Sequence, residues 1–285
     1  MTALHFQHRP LIMGIVNITR DSFSGDGLLQ SEVYAEAAVE QIGQMIHDGA
    51  DLLDIGGESS RPGATPISSD EEMRHIIPVV ELVRKKFGGG PVLAIDTIKA
   101  SVAEAALKAG ADIINDITAL RHDPAMAGVV ARHGCPVVLM HNRSWAKNVL
   151  HDARLGSEYG APGYGDVIEN VKSDFDALID HARSAGIARD HIILDPGLGF
   201  GKTVEQNLTL VREVGRLKEL GYPVLLGPSR KSFIGKTLDL PIDERLEGTA
   251  AVVAVGAFLG ADIMRVHDVK FMARAAKMAT VLRDL

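Results

Sequence analysis

The chain has 285 residues, 46% of them hydrophobic and 24% charged, and 30 Lys+Arg against 37 Asp+Glu leave a net charge of −7. This is ordinary globular composition, which excludes a disordered or fibrous chain, and an acidic balance without a basic stripe excludes a typical nucleic-acid surface. One cysteine, Cys135, rules out an internal disulfide and argues against a cysteine metal site. Residues Met1 to Pro10 carry His5, His8 and Arg9 and lack a secretory apolar core, and the longest apolar stretch, Ala250 to Ala261, is too short to cross a bilayer. A soluble, reduced, cytoplasmic chain with no membrane partner is the expectation.

In chain order, short apolar runs alternate with longer stretches of helical spacing. The runs are Leu11–Asn17, Asp51–Gly56, Pro91–Thr97, Asp112–Ile117, Pro136–His141, His191–Gly197, Pro223–Ser229 and Asp262–Asp268. They are nearly continuous in apolar character, as in Val137-Val138-Leu139-Met140, which suits parallel strands buried on both faces. The helical stretches between and after them are Ser31–Asp48, Asp70–Phe87, Ala100–Ala109, Asp123–His133, Tyr164–Ala185, Thr203–Leu220, Asp243–Leu259 and Val269–Leu282. Gly49, Gly88, Gly110, Gly134, Gly186 and Gly221 stand where these helices should stop. Ser69-Asp70-Glu71-Glu72 resembles a capping start.

Strand starts recur about every 36 residues, and a strand with its crossover helix needs about 30 or more. Eight such units without a break in composition predict an α/β fold with a single domain over residues 1–285, a (β/α)8 barrel of the TIM type. A doubly wound open sheet is the alternative and does not need eight units. The long connection from Asn142 to Gly163, with Trp145 and Tyr159, reads as a mobile insertion, or else a lid.

In such a barrel the C-terminal ends of all strands open on one face. The residues there are Asn17, Asp54, Glu58, Asp96, Asn115, Asp116, His141, Asp195, Ser229-Arg230-Lys231 and Arg265-Val266-His267-Asp268. Carboxylates directly after buried runs, as in Ala94-Ile95-Asp96 and Ile193-Leu194-Asp195, are costly unless something pairs with them. Asp96, Asn115 and Asp195 suit a flat heterocycle with N–H donors. Arg61, Arg230, Lys231, Arg265 and His267 suit phosphate oxygens, so a ligand with a ring at one end and phosphate at the other is expected. The solvent-facing reading fits His5, His8, His47, His122 and His151 better than a metal site, and Cys135 reads as buried and inert.

These residues carry a resemblance. Met13-Gly14-Ile15-Val16-Asn17-Ile18-Thr19-Arg20-Asp21-Ser22-Phe23-Ser24 and Asp54-Ile55-Gly56-Gly57-Glu58-Ser59-Ser60-Arg61-Pro62-Gly63 resemble the first two signatures of dihydropteroate synthases. Asp96-Thr97, Ile114-Asn115-Asp116-Ile117, the stretch Leu194-Asp195-Pro196-Gly197-Leu198-Gly199-Phe200-Gly201-Lys202, Ser229-Arg230-Lys231-Ser232 and Arg265-Val266-His267-Asp268-Val269 follow in family order over essentially the whole chain. The resemblance implies a cytoplasmic transferase of folate synthesis that joins p-aminobenzoate to 6-hydroxymethyl-7,8-dihydropterin pyrophosphate, with sulfonamides as inhibitors and a homodimer as the assembly. It further implies that Asp96, Asn115, Asp195 and Lys231 hold the pterin. Ser60, Arg61, Arg265 and His267 would serve the pyrophosphate, and Asn17 would contact Mg2+. Phe23, Pro62, Phe200, Lys231 and Ser232 would shape the p-aminobenzoate pocket. Asp96, Asp195, Lys231, Arg265 and His267 would carry the catalysis.

Two departures stand out: Arg20 replaces the proline of the family's Thr-Pro-Asp, and Ser60 replaces a common threonine. Arg20 is expected to alter discrimination between p-aminobenzoate and its sulfonamide mimics, and a drug-insensitive variant of the same reaction is one reading. The rivals are a methyltetrahydrofolate-dependent methyltransferase, which would need no pyrophosphate cluster, and a non-catalytic pterin-binding barrel, which should have lost rim charges.

Overall fold

The structure is a computed structural model that describes residues 4, 6, 9–18, 33–59, 64–144, 149–150, 158–160 and 163–285. Eight parallel strands form one sheet: β1 (Leu11–Asn17), β2 (Leu52–Gly56), β3 (Val92–Asp96), β4 (Ile113–Asp116), β5 (Val137–Met140), β6 (Ile192–Asp195), β7 (Leu225–Leu226) and β8 (Ile263–Val266). Their order in space is β6-β5-β4-β3-β2-β1-β8-β7. A bridge from Leu194 to Val224 joins the two ends and closes the barrel. Of the predicted run Pro223–Ser229, only Leu225 and Leu226 pair with β8, and Val224 makes the bridge to β6. Gly227 and Pro228 follow, and proline has no N–H to give to a ladder.

The helices are α1 (Val33–His47), α2 (Ser69–Phe87), α3 (Ala100–Ala109), α4 (Met126–His133), α5 (Val167–Ser184), α6 (Val204–Arg212), α7 (Val214–Lys218), α8 (Ser232–Leu238), α9 (Leu246–Phe258) and α10 (Val269–Arg283). The capping start lies one residue earlier than expected, at Ser68, whose hydroxyl accepts from the Glu71 N–H. The stretch predicted as one helix over Thr203–Leu220 is two, because the backbone turns out of helical geometry at Glu213 (φ −102°, ψ 21°). All six glycines proposed as helix stops have positive φ. The long connection after β5 contains a two-residue antiparallel ladder, Val149–Leu150 against Glu158–Tyr159.

Two apolar cores result from the alternation of side chains along each strand. One fills the lumen and includes Leu11, Met13, Leu52, Ala94, Ile113, Val138, Ile193, Leu225 and Ile263. The other lies between the barrel and the helices and includes Ile12, Ile42, Val80, Ile114, Phe175, Met264 and Met272.

The barrel is clasped at its N-terminal end by a device that recurs three times, Gly49-Ala50-Asp51, Gly110-Ala111-Asp112 and Gly260-Ala261-Asp262. Each glycine follows a helix in a positive-φ conformation, which only glycine adopts cheaply. Each alanine N–H returns 2.9 Å to a carbonyl of the last helical turn, at Met45, Ala106 and Gly256. Each aspartate then accepts, at 2.8 Å, a backbone N–H on the preceding strand or just before it, from Ile12, Leu93 and Val224. A basic side chain completes each clasp: Arg9, Arg84 and Lys218. Asp112→Ala is expected to destabilise the fold by about 2 kcal/mol, because it strips a half-buried guanidinium and a strand N–H of their acceptor. Urea unfolding should show that loss while kcat stays at the wild-type value, since the clasp lies at the face opposite the mouth.

Candidate active site

The lumen changes character two residues beyond its apolar layer. The strand positions after Leu52, Ala94, Ile113, Ile193 and Ile263 on the same face are Asp54, Asp96, Asn115, Asp195 and Arg265. A polar layer therefore sits directly on an apolar one, at the C-terminal mouth.

Arg265 organises this layer. Its Nε donates to Asp54 Oδ2 at 2.6 Å and its Nη2 to Asp96 Oδ2 at 2.7 Å. Asn115 Nδ2 donates to the same Asp54 oxygen at 2.9 Å. Asp54 is fully buried, and its other oxygen, Oδ1, has no hydrogen-bond partner. The flanking carboxylates hold the guanidinium well above its ordinary range, against burial. Burial pushes the Asp96 carboxyl up, to about 7, while Arg265 pulls it down. Asp195 is also raised by burial, opposed by the Gly197 N–H that it accepts at 2.7 Å and by Lys231.

The expected separation into a ring end of acceptors and a phosphate end of donors is not how these residues sort. Arg265 lies among the carboxylates, and its remaining Nη1 makes no hydrogen bond among the described residues. Arg230 is held by both oxygens of Asp268, at 3.1 and 2.8 Å. Lys231 is different. Its ammonium stands 4.2 Å from the centre of the Phe200 ring, and it makes no hydrogen bond among the described residues. Burial and Arg265 lower it to about 8. A Cβ at Gly199 (φ +80°) would come within 2.8 Å of Lys231 Cδ, so the close passage of this side chain requires glycine there.

His267 joins the mouth beside Ser229. The Ser229 hydroxyl oxygen accepts from the His267 backbone N–H at 3.2 Å and lies 2.9 Å from Nδ1. Donation of the hydroxyl proton to Nδ1 leaves the imidazole proton on Nε2. Burial and the adjacent Arg265 lower this histidine to about 3, so it is a neutral donor. Ser232 begins α8 directly after Lys231. On the other side of the mouth, Ile117, Met140 and Phe200 form a small apolar wall with Ile98 and Tyr159. Tyr159 stacks on Phe200 with ring centroids 5.5 Å apart and planes 20° from parallel. The long connection thus reaches the site at this residue, as a lid would.

Phe23, Ser60, Arg61 and Pro62, like Arg20, lie outside the described residues. Asn17 ends β1 in register with Gly56, half-buried, and its amide makes no hydrogen bond among the described residues. No group of three or more His, Cys, Asp or Glu that could hold a metal occurs among the described residues. A single free amide oxygen with no acidic cage suits a cation that keeps water and brings phosphate oxygens with it, which is how Mg2+ binds.

Other rim residues have structural work. Asp116 accepts from the Thr118 and Leu120 N–H groups and the Thr118 hydroxyl, holding a turn in which Ala119 and Leu120 have positive φ. His141 Nε2 lies 2.8 Å from Asp174 and burial lowers the ring to about 3. Glu58 pairs with Lys99, which also reaches the buried Glu72. Sequence reasoning passed over Asp54 as the hub for Arg265, and over Lys202, buried behind the glycine loop after β6. A lysine placed immediately after Gly197-Leu198-Gly199-Phe200-Gly201 was the available signal for the second. His47 and His122 are exposed as expected, and burial of Cys135 pushes its thiol up to about 11.

Residues 13–267 match the family described as pterin binding enzyme, and a polar mouth on a closed parallel barrel is in keeping with that class. A dihydropteroate synthase of Bacillus subtilis (strain 168) is 47% identical over 277 residues, which make up 97% of this chain and 90% of the relative. A crystal structure of dihydropteroate synthase from Clostridium difficile in the presence of pteroic acid superposes with a TM-score of 0.86 at 42% identity, covering 96% of this chain and 97% of that one. The Yersinia pestis dihydropteroate synthase in complex with a sulfonamide drug gives a TM-score of 0.88 at 38% identity, covering 100% and 99%. The chain belongs to the pterin-binding transferases and, among them, to the dihydropteroate synthase family.

His141 and His267 make stability pH-dependent. Both folded-state values, about 3, lie below the ordinary 6.5, so the unfolded chain binds protons that the folded chain refuses. Stability is then complete above about pH 6.5 and falls as the pH drops, by roughly 2 kcal/mol per histidine at pH 5. Urea midpoints at pH 7 and pH 5 should show the loss, and His267→Gln should remove about half of it.

Proposed function

We propose that the chain condenses 6-hydroxymethyl-7,8-dihydropterin pyrophosphate with p-aminobenzoate, giving 7,8-dihydropteroate and pyrophosphate. The observation that carries this reading is the layer of Asp96, Asn115, Asp195 and Arg265 on the floor of the mouth, with the unspent ammonium of Lys231 beside it. Asp96, Asn115 and Asp195 accept from the ring N–H groups of the pterin, and Lys231 donates to a ring acceptor. The relatives seen with pteroic acid and with a sulfonamide drug support the pterin and arylamine ends of the same site.

The chemistry follows from where charge grows. The C–O bond at the pterin methylene breaks with its electron pair going to the pyrophosphate. Arg265 offers its free Nη1, and His267 its neutral Nε2–H, to the departing oxygens; the family resemblance assigns Ser60 and Arg61, outside the described residues, the same task. The positive charge left on the pterin is delocalised into the ring, where Asp96 and Asp195 stabilise it. The neutral arylamine then attacks from a pocket shaped by Phe200, Lys231 and Ser232, with Phe23 and Pro62, and gives up its proton after bond formation. Neither a covalent nucleophile nor a strong base is needed, in keeping with a buried, raised Cys135. Asn17 is the residue that would hold Mg2+, whose charge, when bound, would further stabilise the leaving group.

The test is pyrophosphate release by the purified chain, expected only with both substrates present. Lys231→Ala and Asp195→Ala should each lower kcat/KM by at least about a hundredfold. Because the Lys231 ammonium is present below about pH 8 and lost above it, wild-type kcat/KM should fall on that alkaline limb. Release of pyrophosphate without p-aminobenzoate, or none at all, would defeat the assignment.

The assembly we favour is a homodimer. Val255, Phe258, Phe271, Met278, Val281 and Leu282 are exposed on α9 and α10, which pack against each other, and a second copy is the occupant that such a face on a folate-pathway barrel calls for. Among the described residues no helix is long and apolar enough to cross a membrane. Sedimentation should give a dimer for the wild type and a monomer for the double variant Phe271→Glu, Met278→Glu. A wild-type monomer would refute this assembly.

A further inference from the structure

Lys202 follows the loop that carries Phe200, and only 6% of it is exposed. Its ammonium donates to three backbone carbonyls, of Phe200 at 3.0 Å, Gly197 at 3.1 Å and His141 at 3.4 Å. Two of these belong to its own loop and the third lies just past the end of the neighbouring strand β5. It makes no hydrogen bond to a carboxylate among the described residues; Asp195 acts on it only through space. A buried cation whose only hydrogen bonds go to carbonyl dipoles, with Asp195 and Asp174 acting from a distance, is a poor way to stabilise a protein, and an apolar side chain of the same length would fill the space without the desolvation cost.

The loop shows what the arrangement achieves. Gly197 has positive φ and approaches the same His141 carbonyl so closely that a Cβ would lie 2.2 Å from it. The Gly197 N–H is held by Asp195 and the Gly199 N–H by Asn207, whose own amide returns to the Lys202 and Thr203 carbonyls. The Gly197 and Phe200 carbonyls and the Gly197 and Gly199 N–H groups of the coil are thus each tied to a fixed partner. What the coil presents outward is the Phe200 ring, between Tyr159 and the Lys231 ammonium.

The geometry points to Lys202 as a positioning residue for the arylamine pocket: its ammonium draws the coil onto β5 and so fixes the Phe200 ring against which the second substrate packs. This rests on the synthase reading above and adds to it a residue that touches neither substrate. It predicts an effect weighted to one substrate, because Asp96 and Asn115 are held through Arg265 and Asp54, and the coil touches the pterin end only where the Gly197 N–H meets Asp195.

The test compares wild type with Lys202→Met in two ways. In steady-state kinetics, KM for p-aminobenzoate should rise roughly tenfold, with KM for the pterin diphosphate and kcat each within about twofold of wild type. The inhibition constant of a sulfonamide should rise in parallel. In hydrogen–deuterium exchange, which needs no activity, amides of residues 197–201 should exchange roughly tenfold faster while the rest of the barrel is unchanged. Lys202→Gln, which keeps donors on a shorter neutral arm, should fall between the two. Unchanged KM for p-aminobenzoate, equal losses for both substrates, or unaltered exchange in the loop would overturn the assignment. So would failure of both variants to fold, which would make Lys202 a folding residue. A wild type inert towards the two substrates would defeat the synthase reading, while exchange would still decide whether Lys202 clamps the coil.

Discussion

One guanidinium, shared between two carboxylates at the top of a dry lumen, sets the shape of the mouth. Arg265 on β8 reaches Asp54 on β2 and Asp96 on β3, and Asn115 on β4 adds its amide to Asp54. In spatial order these strands are consecutive apart from β1, so a single group of side chains spans five adjacent strands. Asp54 is fully buried and could not stand as a charge alone, and breaking a buried pair of this kind costs about 3–5 kcal/mol. The barrel cannot widen or shear here without incurring that cost.

This constraint explains the division of roles around the mouth. The β2, β3, β4 and β8 side is tied together by mutual hydrogen bonds before any ligand arrives. The β6 and β7 side retains unspent capacity in Lys231 and in the raised carboxyl of Asp195. Between them, burial keeps His267 neutral, so it can donate a hydrogen bond without adding a charge that the Arg265 cluster would repel. Preorganised donors and acceptors of this kind lower a barrier because they need not reorient as charge moves.

Much of this was legible in the sequence because the barrel encodes it by repetition. Continuous apolar runs at a regular interval specify buried parallel strands, and a polar residue two positions beyond a lumen-facing one must enter the same cavity. Asp96, Asn115, Asp195 and Arg265 could be read as a group for that reason. What could not be read was which of them would meet. Pairing across the mouth depends on the shear of the closed sheet, so the sequence offered Arg265 to phosphate without showing that it is also bound to Asp54 and Asp96. Asp54 was noticed at the rim, yet its role as the hub required knowing that β2 and β8 flank β1. Lys202 escaped notice because a lysine in a loop ordinarily points to solvent. The triple Gly-Ala-Asp clasp is visible once sought, but its meaning depends on a hydrogen bond to a neighbouring strand.

Those three clasps lie at the opposite pole from the chemistry, and each is complete without any rim residue. The molecule therefore separates what keeps it folded from what decides which small molecules it accepts. Substitutions around the entrance, including those that would tell a substrate from a drug that imitates it, can accumulate while the anchoring at the base stays intact. An enzyme built this way can be reshaped at its opening under selection and still arrive at the same barrel.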